Sequence, residues 1–170
     1  MALASFQGKT WDGEIKDLKT NIYVTSLENP SLERRRVIEN GGWPSWGSEN
    51  VIFFHRKVGD IWGVFWYNLS TGETVQVTPD AFDAVTPAAI DETRVAVATI
   101  RQKSEFTDVR NEAQYRHIEI FDMSAQEQPL QITQNTRAKA DHFNPFVMDG
   151  GKCIGYHRCK SDLLKVHIVH

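Results

Sequence analysis

Cysteine is scarce, with only Cys153 and Cys159 in 170 residues. The segment between them reads as a strand, and six extended residues separate the two Cα atoms by about 20 Å. A disulfide needs them within about 7 Å, so both read as thiols, which fits a reducing compartment. Two cysteines without neighbouring histidines make no zinc site. No run approaches the ~20 apolar residues that span a membrane. The opening MALASFQGKTWDGE has neither a basic start nor a long apolar stretch. No secretory leader is read there, and the expected location is cytoplasmic. Basic excess is also lacking, because the net charge is -3. Nucleic-acid binding needs a concentrated basic field, and the one dense run, Arg34-Arg35-Arg36, reads as a solvated strand face. Neither nucleic acid nor membrane is therefore expected as a partner. A Gly-x-Ser-x-Gly nucleophile elbow is absent, and no segment carries a 3.6-residue apolar stripe.

What the sequence does have is repetition. Three apolar segments share one alternation: Ile22–Leu27, Val64–Leu69 and Ile118–Met123. A polar turn follows each, at Glu28-Asn29-Pro30, Ser70–Glu73 and Ser124–Glu127. A short second strand then ends in a polar cluster, at Arg36–Asn40, Gln76–Asp80 and Gln131–Asn135. Next come a loop and a proline, Trp43-Pro44, Thr86-Pro87 and Asn144-Pro145. The most apolar segments close the unit, at Val51–His55, Val95–Ile100 and Cys153–His157. The proline recurs after 43 residues (44 to 87) and then after 58 (87 to 145). The longer interval has a visible cause in the charged insertion QKSEFTDVRNEAQYR at 102–116, since loops absorb insertions and strands do not.

Four short strands per ~40–45 residues is the signature of a β-propeller blade. The expected fold is all-β, a propeller of four-stranded antiparallel blades, with roughly three and a half blades in one domain over 1–170. The expected division is a partial blade at 1–40, blades at 42–80 and 84–135, and a partial blade at 142–170. The inner strand of each blade is expected to follow its proline. Ala2 onward aligns with Val97 onward as a second strand, and Val166–Val169 reads as a third. Half a ring cannot close by itself, so a homodimer that completes it is one expected partner arrangement.

The proline-led segments resemble the TolB-like, or WD40-like, propeller repeat, which runs Pro-x-Trp-Ser-Pro-Asp-Gly-x-x-Ile-x-Phe. Pro44, Trp46, Ile52 and Phe54 match it, with Glu49-Asn50 at the turn. Pro145, Ile154 and Tyr156 match in a later copy, where Asp149-Gly150-Gly151 makes the turn. Pro87, Asp91, Val95 and Val97 match more loosely. The same repeat builds the N-terminal propellers of dipeptidyl-peptidase-like proteins, and the whole chain is similar to TolB-related proteins of plants. The resemblance implies a fold and says little of function.

The loops before the prolines would approach the central channel. They supply the candidate ligand contacts: Asp83, Asp141, His142, Asn144 and Trp43. Asp141 and His142 are the one candidate metal pair, although adjacent strand residues face opposite ways, and His142 also reads as a locally bonded loop histidine. His55 and His157 end the same strand of their blades, which points to a structural role. Trp43, Trp46, Trp62 and Trp66 fall at repeat positions and read as blade packing, while Trp11 lies in a loop. The function expected is a non-catalytic scaffold holding a protein or small ligand at the channel mouth, with no cofactor. Two alternatives stand beside it. One is a metal-assisted lyase of the oligogalacturonate-lyase propeller type, which alone would need a divalent metal. The other is a carbohydrate-binding module.

Overall fold

The computed structural model describes residues 1–6, 19–28, 34–80, 82–101, 116–125, 127–133, 140–160 and 163–169. Apart from Arg116, the charged insertion lies outside them, as do Trp11 and His170. Four antiparallel sheets follow one another along the described chain. The first holds β1 (Ala2–Phe6), β2 (Thr20–Val24) and β3 (Arg35–Ile38). The second holds β4 (Gly42–Trp46), β5 (Val51–Val58), β6 (Ile61–Asn68) and β7 (Thr74–Gln76). The third holds β8 (Phe82–Ala89), β9 (Arg94–Arg101), β10 (His117–Asp122) and β11 (Leu130–Gln131). The fourth holds β12 (Ala140–Met148), β13 (Cys153–Lys160) and β14 (Leu163–Val169). In every sheet, strands adjacent in sequence are adjacent in space.

The sheets stack face to face, and the period-2 alternation of their second strands shows how. On β5, Val51 and Phe53 enter one core with Val95, Val97 and Phe121 of the third sheet. The alternate residues Ile52 and Phe54 enter another core with Ile22 and Ile38 of the first sheet. On β9, Val95 and Val97 face the second sheet, while Ala96 and Ala98 face Ile154 of the fourth. These strands are buried on both faces, so they read as continuous apolar runs instead of alternating ones. Phe53 and Phe54 are fully buried, each stabilising the fold by roughly 1.5–3 kcal/mol.

The repeat positions coincide in space. Ile22, Val64 and Ile118, the leading residues of the three aligned segments, are all fully buried. Val64 pairs with His55, Ile118 with Ala98 and Ile22 with Ala4. Ala4 is therefore the counterpart of Ala98, and the alignment of Ala2 with Val97 is one residue out. Apolar residues on both faces of β1 give the sequence little contrast against a one-residue slip. Strand β8 begins at Phe82, two residues ahead of the boundary read at 84.

The prolines are placed differently from the expectation. Pro44, Pro87 and Pro145 lie inside the inner strands β4, β8 and β12, not ahead of them. The ladder shifts register there in all three, between Gly42 and Ser45, Val85 and Ala88, and Phe143 and Phe146. Proline lacks the N–H that a ladder needs, so it is tolerated at a bulge. Cys153 lies opposite Met148 and Cys159 opposite Asp141, at separate places along β13. Among the described residues no helix is long and apolar enough to cross a membrane.

Candidate functional site

The residue before each proline occupies the left-handed region: Trp43 at φ 51°, Thr86 at φ 50° and Asn144 at φ 47°. Non-glycine residues rarely adopt that conformation. Three equivalent occurrences make it a device of the repeat, one left-handed residue at each bulge, exposed at Trp43 and buried at Thr86. β8 lies beside both β4 and β12, so the bulges of the inner strands are neighbours. Sequence reasoning singled out Trp43 and Asn144 and missed Thr86. The x-Pro alignment that found the other two also contained it.

The first bulge gathers three rings. Trp43 is 49% exposed, which departs from the packing role read for it. Its ring lies 6.4 Å from that of His55, and His55 lies 4.8 Å from Trp62, centre to centre. Gly42 permits this arrangement, because a Cβ there would stand 2.8 Å from His55 Nε2. The Thr86 amide donates to His55 Nδ1 at 3.4 Å. Burial lowers the His55 pKa to about 4, so the ring is neutral at pH 7. With Nδ1 accepting, Nε2 carries the proton. Apolar faces and one neutral donor suit an uncharged or weakly polar group.

The other tryptophans are used inside the fold. Trp66 Nε1 donates to the Glu92 carbonyl in the next sheet at 3.0 Å, and Trp46 packs on the core between the first two sheets. Asp83 also ties sheets together. Its Oδ1 accepts the Trp62 amide at 2.9 Å, and its Oδ2 lies 3.9 Å from Arg116 Nη2.

A second cluster surrounds His142, which is buried. Its amide and its Nδ1 both meet the Arg116 carbonyl at 3.1 Å. Its ring stacks on His117 at 5.9 Å and takes Tyr156 edge-on at 5.5 Å. His117 Nδ1 in turn meets the Thr133 carbonyl at 3.1 Å. Arg116 therefore joins Asp83 to His142, a link that no motif in the sequence marks. His55 and His157 are equivalent, each opposite the residue two before the bulge proline, Gly42 and Phe143. Asp141 lies opposite Cys159 at the far end of β12 from Met148. Carbonyl bonding engages His142 Nδ1, among the described residues no three His, Cys, Asp or Glu side chains converge, and the Asp141 side chain lies outside the described residues.

No protein-family profile and no curated protein matches the sequence. Solved structures do resemble the fold. TolB from Acinetobacter baumannii superposes with a TM-score of 0.65 at 17% identity, over 97% of this chain and 36% of that one. A protein from Agrobacterium tumefaciens named as a TolB gives 0.67 at 11% identity, over 91% of this chain and 54% of that one. The acylaminoacyl peptidase of Pyrococcus horikoshii gives 0.55 at 11% identity, over 98% and 32%. The chain thus spans between about a third and a half of these proteins. Its fold is a TolB-like β-propeller, present here as a partial ring.

Proposed function

We propose that the chain is a non-catalytic binding scaffold that holds a protein segment or a small ligand on the inner-strand side of its sheets. Trp43 is the primary contact. One observation carries this reading: a half-exposed tryptophan is fixed at positive φ before Pro44, against a neutral histidine. Apolar surface of this kind, rigidly held and ringed by few polar groups, is the usual make-up of a ligand site. Asn144, at the equivalent bulge of β12, extends the same inner face. The exposure of Trp43 also supports carbohydrate stacking as a second reading, since an open indole face suits the C–H face of a sugar. Fluorescence titration against a glycan panel and a peptide panel tests both. Quenching by a peptide that Trp43→Ala removes supports the first reading, and quenching by a glycan alone supports the second. Quenching that persists in Trp43→Ala overturns the site.

A further inference from the structure

The outer rim of the two four-stranded sheets holds a groove of 330 Å³, remote from the inner bulges. Val75 and Val77 line one side, with Phe121 and Met123 on the other. One wall is the edge strand β7, which among the described residues pairs only with β6. The pairing fixes where its backbone points. The Val77 amide donates to the Val64 carbonyl and the Asn68 amide to the Glu73 carbonyl. In that register the hydrogen-bonded positions of β7 are the odd-numbered ones. The N–H and C=O groups of Thr74 and Gln76 therefore point away from β6, along the open edge. The Gln76 side chain folds back onto the Thr78 carbonyl and Asp80 Oδ1, at 2.9 and 3.0 Å.

The groove is also charged with one sign. Asp122 and Glu127 line it, and no lysine or arginine does. Asp122 is pinned in place by the amide and hydroxyl of Ser124, at 2.9 and 2.6 Å. Arg94, opposite Asp122 on β9, is engaged by Asp91 at 2.7 Å.

We propose that this groove binds an extended peptide segment of a partner protein as a fifth strand on β7. The segment carries lysine or arginine toward Asp122 and Glu127, and apolar side chains onto Val75, Phe121 and Met123. Backbone pairing at a sheet edge supplies affinity, and the alternating side chains supply selectivity.

The test uses two labelled probes, acetyl-Val-Lys-Val-Lys-Val-amide and its Glu counterpart, with fluorescence anisotropy. The lysine peptide is expected to bind at least about tenfold more tightly. Thr74→Pro deletes an outward N–H without breaking a β6–β7 bond, and Glu127→Lys reverses an exposed charge. Each is expected to weaken binding by about tenfold or more while leaving the urea midpoint unchanged. Equal binding of the two peptides, binding indifferent to both variants, or no binding at millimolar peptide overturns the proposal. Self-association of the chain that Glu127→Lys abolishes overturns it as well, because a second copy would then own the groove.

Discussion

The amide of Thr86 reaches across from one sheet and donates to Nδ1 of His55 in the sheet before it, at 3.4 Å. The bond requires an unprotonated ring. Burial already enforces that, lowering the His55 pKa from 6.5 to about 4.

A loss of stability in mild acid follows. Above pH 6.5 His55 is neutral in both states, so its contribution is fully present. Between pH 6.5 and about 4 the unfolded chain takes up a proton that the folded chain refuses, and stability falls. The loss attributable to His55 is about 3 kcal/mol, from the shift and about 1.4 kcal/mol per pKa unit. Urea unfolding of wild type and His55→Gln from pH 7.5 to 4 checks this. The gap between the two curves is expected to narrow by that amount, and parallel curves would refute it.

Gly155 lies opposite Phe146 on the fourth sheet. A Cβ at Gly155 would stand 2.1 Å from Phe146 Cζ, so the ring covers the glycine. Gly155→Ala is expected to destabilise by about 1–3 kcal/mol, the usual cost of overpacking. Pairing it with Phe146→Leu should recover part of the loss. Additive losses in the double variant would show that the two residues do not share that space.

The propeller class was legible because both-face burial writes long apolar runs into β5 and β9, and because the turns and prolines repeat. The position of the prolines inside the strands was not legible. A bulge depends on register, and register is set by partners distant in sequence. The site was half legible. Trp43 and Asn144 could be found from their place before proline, but the exposure of Trp43 depends on how the neighbouring sheets pack. Asp83 reads as a ligand contact from its place in the segment before Pro87. In the structure its carboxylate accepts the Trp62 amide and faces Arg116, two links that cross from sheet to sheet or span the insertion.

Thr86 combines two local costs. It is a β-branched residue at φ 50°, and its buried Oγ1 has no hydrogen-bond partner. Thr86→Gly removes both. It forfeits a little side-chain packing and adds backbone entropy to the unfolded chain, by about 0.5–1 kcal/mol. Strain and an unsatisfied hydroxyl together cost more, about 1–3 kcal/mol each. The variant is expected to raise stability by about 1 kcal/mol or more in urea unfolding at pH 7. A drop in stability would mean that the threonine methyl is essential to the packing at that bulge.

In the third sheet the Thr99 hydroxyl donates to Glu119 Oε2 at 2.6 Å, with both residues at 1% exposure or less. Thr99→Val keeps the shape and removes the donor. Leaving a buried acceptor without its donor costs about 1–3 kcal/mol, so a destabilisation near ~2 kcal/mol is expected. Thermal melts of wild type and Thr99→Val decide this, and an unchanged melt would show that other groups satisfy Glu119 Oε2.

Trp43 and Trp66 stand at repeat positions and look alike in sequence, yet the structure uses them oppositely. Trp66 donates its indole N–H to the Glu92 carbonyl of the next sheet and packs on the core of that seam. Trp43 leaves about half of its surface to solvent. Trp66→Phe should therefore cost about 1 kcal/mol of stability for the lost hydrogen bond, and somewhat more for the smaller ring, while leaving ligand binding at the inner face unchanged. Trp43→Ala should cost little stability, because a half-exposed ring stabilises the fold far less than a buried one, and should abolish the binding. Urea midpoints and ligand titrations on the two variants place each tryptophan on one axis or the other. If Trp43→Ala unfolds the protein as readily as a core truncation, its ring is a structural prop and the inner-face site falls with it.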